Sequence, residues 1–380
     1  MADKDFQLPL ENQAHLFNTL VHEAAKQAIP TAKECPRHHK DAWIYGPRVK
    51  EINRRLNAAR KEYRRDPTTA RRSYLRSVAR HAQITKTQLK EDEWLAWCRS
   101  VGHHTTIGEL WCKTRALYNP RPHRPPAHFA PIAEAERLAG VFAARTSPSQ
   151  LPAATRRAQA DLAEHRRTKV MEACQEEAPT DTPFALHELK RALPHGKDTS
   201  PGQDQITYSM LSHLGEVGKR SLLELCNASM QAGALPESWK EAIITPIPKP
   251  GAPGAMRPIF LLSCVSKVAE RLVLERLRWQ AGEFHPHLFA FQPRRNTVSC
   301  LMTLLHALRK RAGLVVFFDL EKAFELADPL AMLEALADKG IKGRLLRWVS
   351  DFLTGRTAKV RFQGRLSTAH RHTLGTPQGS

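Results

Sequence analysis

The apolar positions of this chain change period several times, and each change predicts an element. Val49, Ile52, Leu56, Ala59 and Tyr63 recur at spacings of three and four, which predicts a helix with a narrow apolar stripe. Pro67 has no amide proton and cannot continue that helix, so residues 48–80 are expected as two helices. Trp94, Trp97 and Trp111 follow in segments of mixed helical character and read as core anchors. Five prolines then fall within residues 120–131, a stiff stretch that predicts a linker and a domain boundary. Residues 153–180 look helical but are polar on most faces. Thr182-Pro183 reads as an N-cap followed by the first helical position, with Phe184, Leu186, Leu189 and Leu193 giving that helix an apolar side. Helices at about 208–232, 263–282 and 297–312 then alternate with short strands at about 241–248 and 314–320. A polar hairpin is predicted at about 357–374, turning at Gln363-Gly364-Arg365. This mixture predicts an α+β or α/β arrangement, not a helical bundle.

Charge changes the picture more than composition does. The 380 residues are 42% hydrophobic and 25% charged, an ordinary globular balance. Lys and Arg number 58 against 38 Asp and Glu, a net charge of +20. Such an excess favours a polyanionic partner, nucleic acid or an acidic membrane surface; the alternative is a basic protein whose charge only aids solubility. The excess is concentrated at residues 48–80, where twelve Lys or Arg face Glu51, Glu62 and Asp66. Arg54, Arg55, Arg64 and Arg65 are the candidates there for contact with nucleic-acid phosphates.

No apolar stretch approaches the ~20 residues of a membrane-spanning helix. The first residues, Met1-Ala2-Asp3-Lys4-Asp5, are charged and lack an apolar signal core. The seven cysteines are odd in number and scattered, with no C-x-x-C. These features predict no membrane partner and a reducing intracellular compartment, nucleus or cytoplasm.

One segment carries chemistry. In Leu314-Val315-Val316-Phe317-Phe318-Asp319-Leu320, five apolar residues run into a carboxylate. The pattern predicts a buried strand that delivers Asp319 at its C-terminal end, where a rigid strand can hold a ligand. Alone, a strand-end aspartate is more often a helix cap or turn former.

The residues that follow change that balance. Asp319-Leu320-Glu321-Lys322-Ala323-Phe324-Glu325 resembles the first catalytic motif of reverse transcriptases of non-LTR (LINE-type) retrotransposons. The resemblance continues in the family's order. Ser200-Pro201-Gly202-Gln203-Asp204-Gln205-Ile206 resembles its S-P-G-P-D-G-I finger loop, departing at Gln203 and Gln205. The run from Trp239 to Gly251 resembles the next strand and loop, and Arg257-Pro258-Ile259-Phe260-Leu261-Leu262-Ser263 resembles R-P-I-S-L-L-S. Phe291 to Thr297 is similar to the F-x-x-x-R-S-T element, and Gly375-Thr376-Pro377-Gln378-Gly379-Ser380 to G-x-P-Q-G-S.

This resemblance implies RNA-templated DNA synthesis from deoxynucleotides on a DNA primer, with Mg2+ as cofactor. It implies that Asp319 is the catalytic carboxylate and binds the metal, that Phe324 excludes a 2′-hydroxyl, and that Gln378 and Gly379 line the nucleotide and template pocket. Lys249 and Arg257 bracket a Pro/Gly-rich turn, where a hairpin tip would present both to a triphosphate. The fold expected is the fingers and first part of the palm of a right-hand polymerase, an incomplete α+β fold after a mostly helical basic region. The boundaries expected are 1–118 for that basic connector, 119–181 for the Pro-rich linker and polar helices, and 182–380 for fingers and partial palm.

Two-metal phosphoryl transfer needs further carboxylates, which the family supplies from a Tyr-x-Asp-Asp hairpin. No tyrosine here is followed by x-Asp-Asp, and no Asp-Asp dipeptide occurs. The expectation is therefore an internal piece of a longer polyprotein, inactive by itself. The alternative is a non-catalytic RNA- or DNA-binding protein derived from such an element.

Overall fold

The computed structural model describes residues 8–29, 46–102, 105–106, 108–111, 128–193, 198–249, 251, 254–282, 284–310 and 313–377. The helices used below are α1 Leu10–Ala28, α2 Pro47–Arg65, α3 Thr69–Ser100, α4 Pro131–Arg145, α5 Ala153–Gln175, α6 Leu186–Ala192, α7 Glu216–Ala232, α8 Cys264–Ala281, α9 Thr297–Lys310, α10 Pro329–Asp338 and α11 Gly343–Leu353. The strands are β1 Glu241–Pro248, β2 Met256–Leu261, β3 Thr357–Phe362, β4 Arg365–Leu366 and β5 His370–Arg371. Helix and sheet are mixed, as the sequence predicts. The chain divides into two compact units, residues 31–126 and residues 1–30 with 127–380.

In the smaller unit α2 and α3 pack on each other. The helices separate at Pro67 as expected; Thr68 caps α3 by accepting a hydrogen bond from the Arg71 amide. Val49, Leu56 and Ala59 turn the α2 stripe inward, while Arg54, Arg55, Arg64 and Arg65 stay exposed. The tryptophan expectation needs correction. Trp94 and Trp97 are half-buried against each other, ring centroids 4.8 Å apart, and Trp111 is 58% exposed. Among the described residues, α2 packed on α3 offers too little interior to enclose three indoles.

The larger unit holds one five-stranded sheet, β2-β1-β3-β4, with β5 also on β3. β1 and β2 are antiparallel; β1 and β3 are parallel, with Ala242 opposite Ala358 and Ile244 opposite Val360. Leu138, Ala139 and Phe142 of α4 cover this sheet against Ala242, Ile244, Leu262, Ala358 and Val360. Burying a side chain such as Phe142 contributes roughly 1.5–3 kcal/mol, so α4 is integral to the sheet. A second cluster unites α6, α7, α8 and α11 around Leu189, Leu222, Leu272, Leu345 and Trp239. The polar helix α5 joins it through Val170 and Ala173, while Arg166 pairs with Glu334 and Asp328 of the α10 segment. Ion pairs across that interface explain why its sequence looks polar on most faces.

Three local expectations are corrected. The predicted strand at 314–320 forms no strand or ladder, and Leu314, Phe317 and Phe318 are 91%, 80% and 91% exposed. A run rich in β-branched and aromatic residues fits a strand only when neighbouring strands bury it, and none among the described residues does. The helix expected from Thr182 starts at Leu186, because Glu188 caps the Ala185 amide. Residues 208–232 form a short helix at Tyr208–Ser212 and then α7, broken around Leu214-Gly215.

Candidate active site

The site begins with a proline-studded hairpin. Residues Ile243 and Ile244 of β1 have partners on both sides, but Thr245 to Pro248 pair with β2 alone. Pro246 faces Pro258 and Ile247 faces Arg257. Beyond them the Lys249 amide donates to the Ala255 carbonyl at 2.9 Å. The turn carries Gly251 and Gly254 at φ +75° and +79°, where a Cβ is disfavoured. Lys249 and Arg257 therefore stand exposed at the tip of one rigid hairpin.

The hairpin's base is held by the upstream loop. A Cβ on Gly202 would lie 2.6 Å from the Ser263 amide nitrogen, so only glycine allows that approach. Ser263 caps α8 by accepting from the Val265 and Ser266 amides, and its hydroxyl donates to Asp204 at 2.5 Å. Burial pushes the Asp204 carboxyl above the usual carboxylate range, and the Ser263 hydrogen bond opposes that shift.

Asp319 lies on the exposed irregular segment, ahead of a tight turn in which Lys322 has φ +54°. The Glu325 and Leu326 amides both donate to the Lys322 carbonyl at 3.0 Å. The C-terminal motif docks on this turn. The Thr376 amide donates to Phe324 O at 2.9 Å and the Gly375 amide to Ala327 O at 2.8 Å. Gly375 has φ +80°, and a Cβ there would overlap the Phe324 carbonyl oxygen. The motif glycine thus allows backbone-to-backbone contact behind the Phe324 ring, whose edge meets Phe291 at a centroid distance of 6.3 Å.

The end of α4 joins hairpin and turn. Arg145 Nη1 donates to Met256 O at 3.4 Å and lies 3.7 Å from Glu325 Oε1. Thr146 O accepts from the Leu374 amide at 3.0 Å and from the Thr373 hydroxyl at 2.8 Å. These elements enclose a cleft of about 820 Å³. Its lining includes Arg145, Lys249, Arg257, Asp319, Phe324 and Glu325.

Four of the residues singled out in the sequence, Lys249, Arg257, Asp319 and Phe324, therefore share one cleft. Gln378 and Gly379 lie outside the described residues. Arg54, Arg55, Arg64 and Arg65 lie on α2 in the smaller unit; Arg54 and Arg55 pair with Glu51 at 2.7 and 3.2 Å. Sequence reasoning missed Arg145. Its only signal is a basic residue in the last turn of a helix, where the dipole favours a cation.

The chemistry available is that of a cationic cleft with a carboxylate edge. Asp319, Glu321 and Glu325 all line it, but among the described residues no three His, Cys, Asp or Glu side chains group closely enough to hold an ion. A two-metal centre needs several converging carboxylate oxygens, so the donors described here do not by themselves fit one.

Residues 247–380 match the family model for reverse transcriptase (RNA-dependent DNA polymerase). That span holds the hairpin tip, the Asp319 turn and the glycine motif behind it. This segment is similar to the reverse-transcriptase family. The family generally uses divalent metal. The reverse-transcriptase segment and the sequence before it are similar to proteins of non-LTR elements in Drosophila melanogaster, as the sequence motifs indicated. A probable RNA-directed DNA polymerase from transposon X-element is 28% identical over 262 residues, which is 66% of this chain and 28% of that protein. One from transposon BS is 31% identical over 208 residues, 51% of this chain and 22% of that protein. The RNA-directed DNA polymerase from mobile element jockey is 28% identical over 193 residues, 48% of this chain and 21% of that protein. The chain thus spans less than a third of the length of each of these relatives. No described helix is long and apolar enough to cross a membrane.

Proposed function

We propose that the cleft binds the incoming deoxynucleotide of an RNA-templated DNA polymerase, within the fingers and first part of a palm. The carrying observation is that Lys249, Arg257, Asp319 and Phe324, from separate stretches of sequence, line one cleft. Lys249 is a point charge and Arg257 a planar fork, a pair suited to a triphosphate. Asp319 is the metal-binding carboxylate of the complete enzyme, with Mg2+ as the metal. Phe324, 47% exposed on the cleft wall, is the residue assigned to exclude a ribose 2′-hydroxyl. Gln378 and Gly379 continue the motif that docks behind Phe324 and meet the nucleotide and template. The basic face of α2 supplies phosphate contacts to template or primer through Arg54, Arg55, Arg64 and Arg65.

The 380-residue chain alone is expected to incorporate no nucleotide on a primed RNA template, because its sequence holds no Tyr-x-Asp-Asp to partner Asp319. It is expected to bind a deoxynucleoside triphosphate, and Lys249→Ala with Arg257→Ala should weaken that binding roughly a hundredfold if each loses one charge-assisted contact. Fluorescence titration with a labelled deoxynucleotide measures this. Unchanged binding in the double variant would remove the nucleotide site from this cleft. In a longer form carrying the Asp-Asp hairpin, Asp319→Asn should abolish extension.

A second reading is a non-catalytic nucleic-acid-binding protein derived from such an element. The exposed basic face of α2 favours it. Under that reading RNA binding persists while deoxynucleotide binding is absent.

A further inference from the structure

We infer that Arg145 is a third phosphate-binding cation of the cleft, held back by Glu325 until a polyphosphate displaces the carboxylate. The inference rests on the nucleotide-binding reading above and adds a residue and an exchange step to it.

Arg145 lies outside the matched segment, yet it lines the same cleft as Lys249 and Arg257. Its position is built. It is the last residue of α4, whose apolar face is buried in the sheet core, so its backbone is as fixed as the hairpin's. Its guanidinium stands 5.1 Å from the Phe142 ring centroid, which restricts the side chain. The helix C-terminus favours a cation there.

What Arg145 touches is loose. Charge-assisted N–H···O bonds normally close to about 2.7–2.9 Å. Arg145 is 3.7 Å from Glu325 and 3.4 Å from the Met256 carbonyl. A guanidinium has five donors, and these two long contacts use few of them. The Arg145 side chain is 31% exposed, so a ligand can reach it. Glu325 is 15% exposed and sits on the turn whose backbone is pinned by Gly375 and Thr376. A ligand carrying several negative charges offers Arg145 shorter, bidentate contacts than this carboxylate does. Exchange sacrifices a loose ion pair and gains a tight one, and it releases Glu325 next to Phe324.

Isothermal titration of the full chain with sodium tripolyphosphate, without metal, tests this. Arg145→Ala should weaken binding about tenfold, the loss of one charge-assisted contact. Glu325→Gln should tighten it roughly two- to fivefold, because the competing carboxylate is gone. A misfolded variant cannot produce that gain. In Arg145→Ala the Glu325→Gln gain should vanish, since the two changes act through one contact. Binding that weakens in the Lys249→Ala, Arg257→Ala variant but not in Arg145→Ala would overturn this inference and leave the nucleotide site standing. A Glu325→Gln gain that persists without Arg145 would overturn it too. Failure of the unaltered chain to bind tripolyphosphate at all would overturn both.

Discussion

His372 shows how single residues tie the cleft to the fold. Its backbone amide donates to Arg356 O at 3.0 Å, its Nδ1 lies 3.3 Å from the Thr146 hydroxyl, and the edge of Phe260 is against it. Burial, with His370 nearby, pushes its pKa down to about 4. The neutral ring is the folded form, whereas an unfolded chain takes up the proton near 6.5. Between those values the unfolded state binds more protons, so stability is complete above about 6.5 and is lost as pH falls towards 4. His372→Gln should flatten that part of the melting-temperature profile relative to the unaltered chain. Parallel profiles would mean that His372 titrates normally. Nothing in the order of residues marks His372 as half-buried, because a histidine in a polar hairpin reads as exposed. Asp319, Lys249, Arg257 and Phe324 were legible because each sits in a recognisable local pattern. Arg145 and Glu325 were not, because their meeting depends on α4 crossing the sheet, a contact between residues far apart in sequence.

Elements were legible where local chemistry decides them. The strand at 241–248, the break at Pro67 and the turn at Gln363-Gly364 came directly from period and turn residues; Gln363 and Gly364 adopt φ of +45° and +82°, as a tight hairpin requires. The segment 314–320 misled because its residues describe a strand that needs neighbours. The basic helix α2 carries its own prediction. RNA affinity should fall steeply with salt, and reversing Arg54, Arg55, Arg64 and Arg65 to Glu should reduce the slope of log K against log salt by up to about 3 on single strands. Binding should weaken on all sequences alike, since phosphate contacts carry no base information. Fluorescence anisotropy at several salt concentrations reads the slope; an unaltered slope would assign the phosphate contacts to other cations. Arg54 and Arg55, already paired with Glu51, are expected to contribute less than Arg64 and Arg65.

Taken as a molecule, the chain combines a net charge of +20 with a large uncovered apolar surface. Leu314, Phe317 and Phe318 are exposed beside the Asp319 turn, and α9 exposes Val298, Leu301, Met302 and Leu305. Surfaces of that kind bind partners or self-associate. Sedimentation of the isolated chain should therefore show association that rises with concentration, and Phe318→Ser should lower both that association and the binding of a dye such as anilinonaphthalene sulfonate. A chain that stays monomeric and dye-free at high concentration would mean that this surface is covered from within. The sheet that holds the hairpin has a consequence of another kind, in the order of events at the ribosome. β1 lies parallel to β3, and the intervening chain runs from residue 248 to residue 357. At about 5–20 residues per second, β1 waits on the order of ten seconds for its partner strand to be made. Throughout that interval the β1–β2 hairpin can zip, but the apolar face of α4 and the inner edge of β1 have no β3 to close against. The nascent chain is then a ready client for a holding chaperone, and its yield is set by how long that open sheet edge is guarded before Thr357–Phe362 emerges.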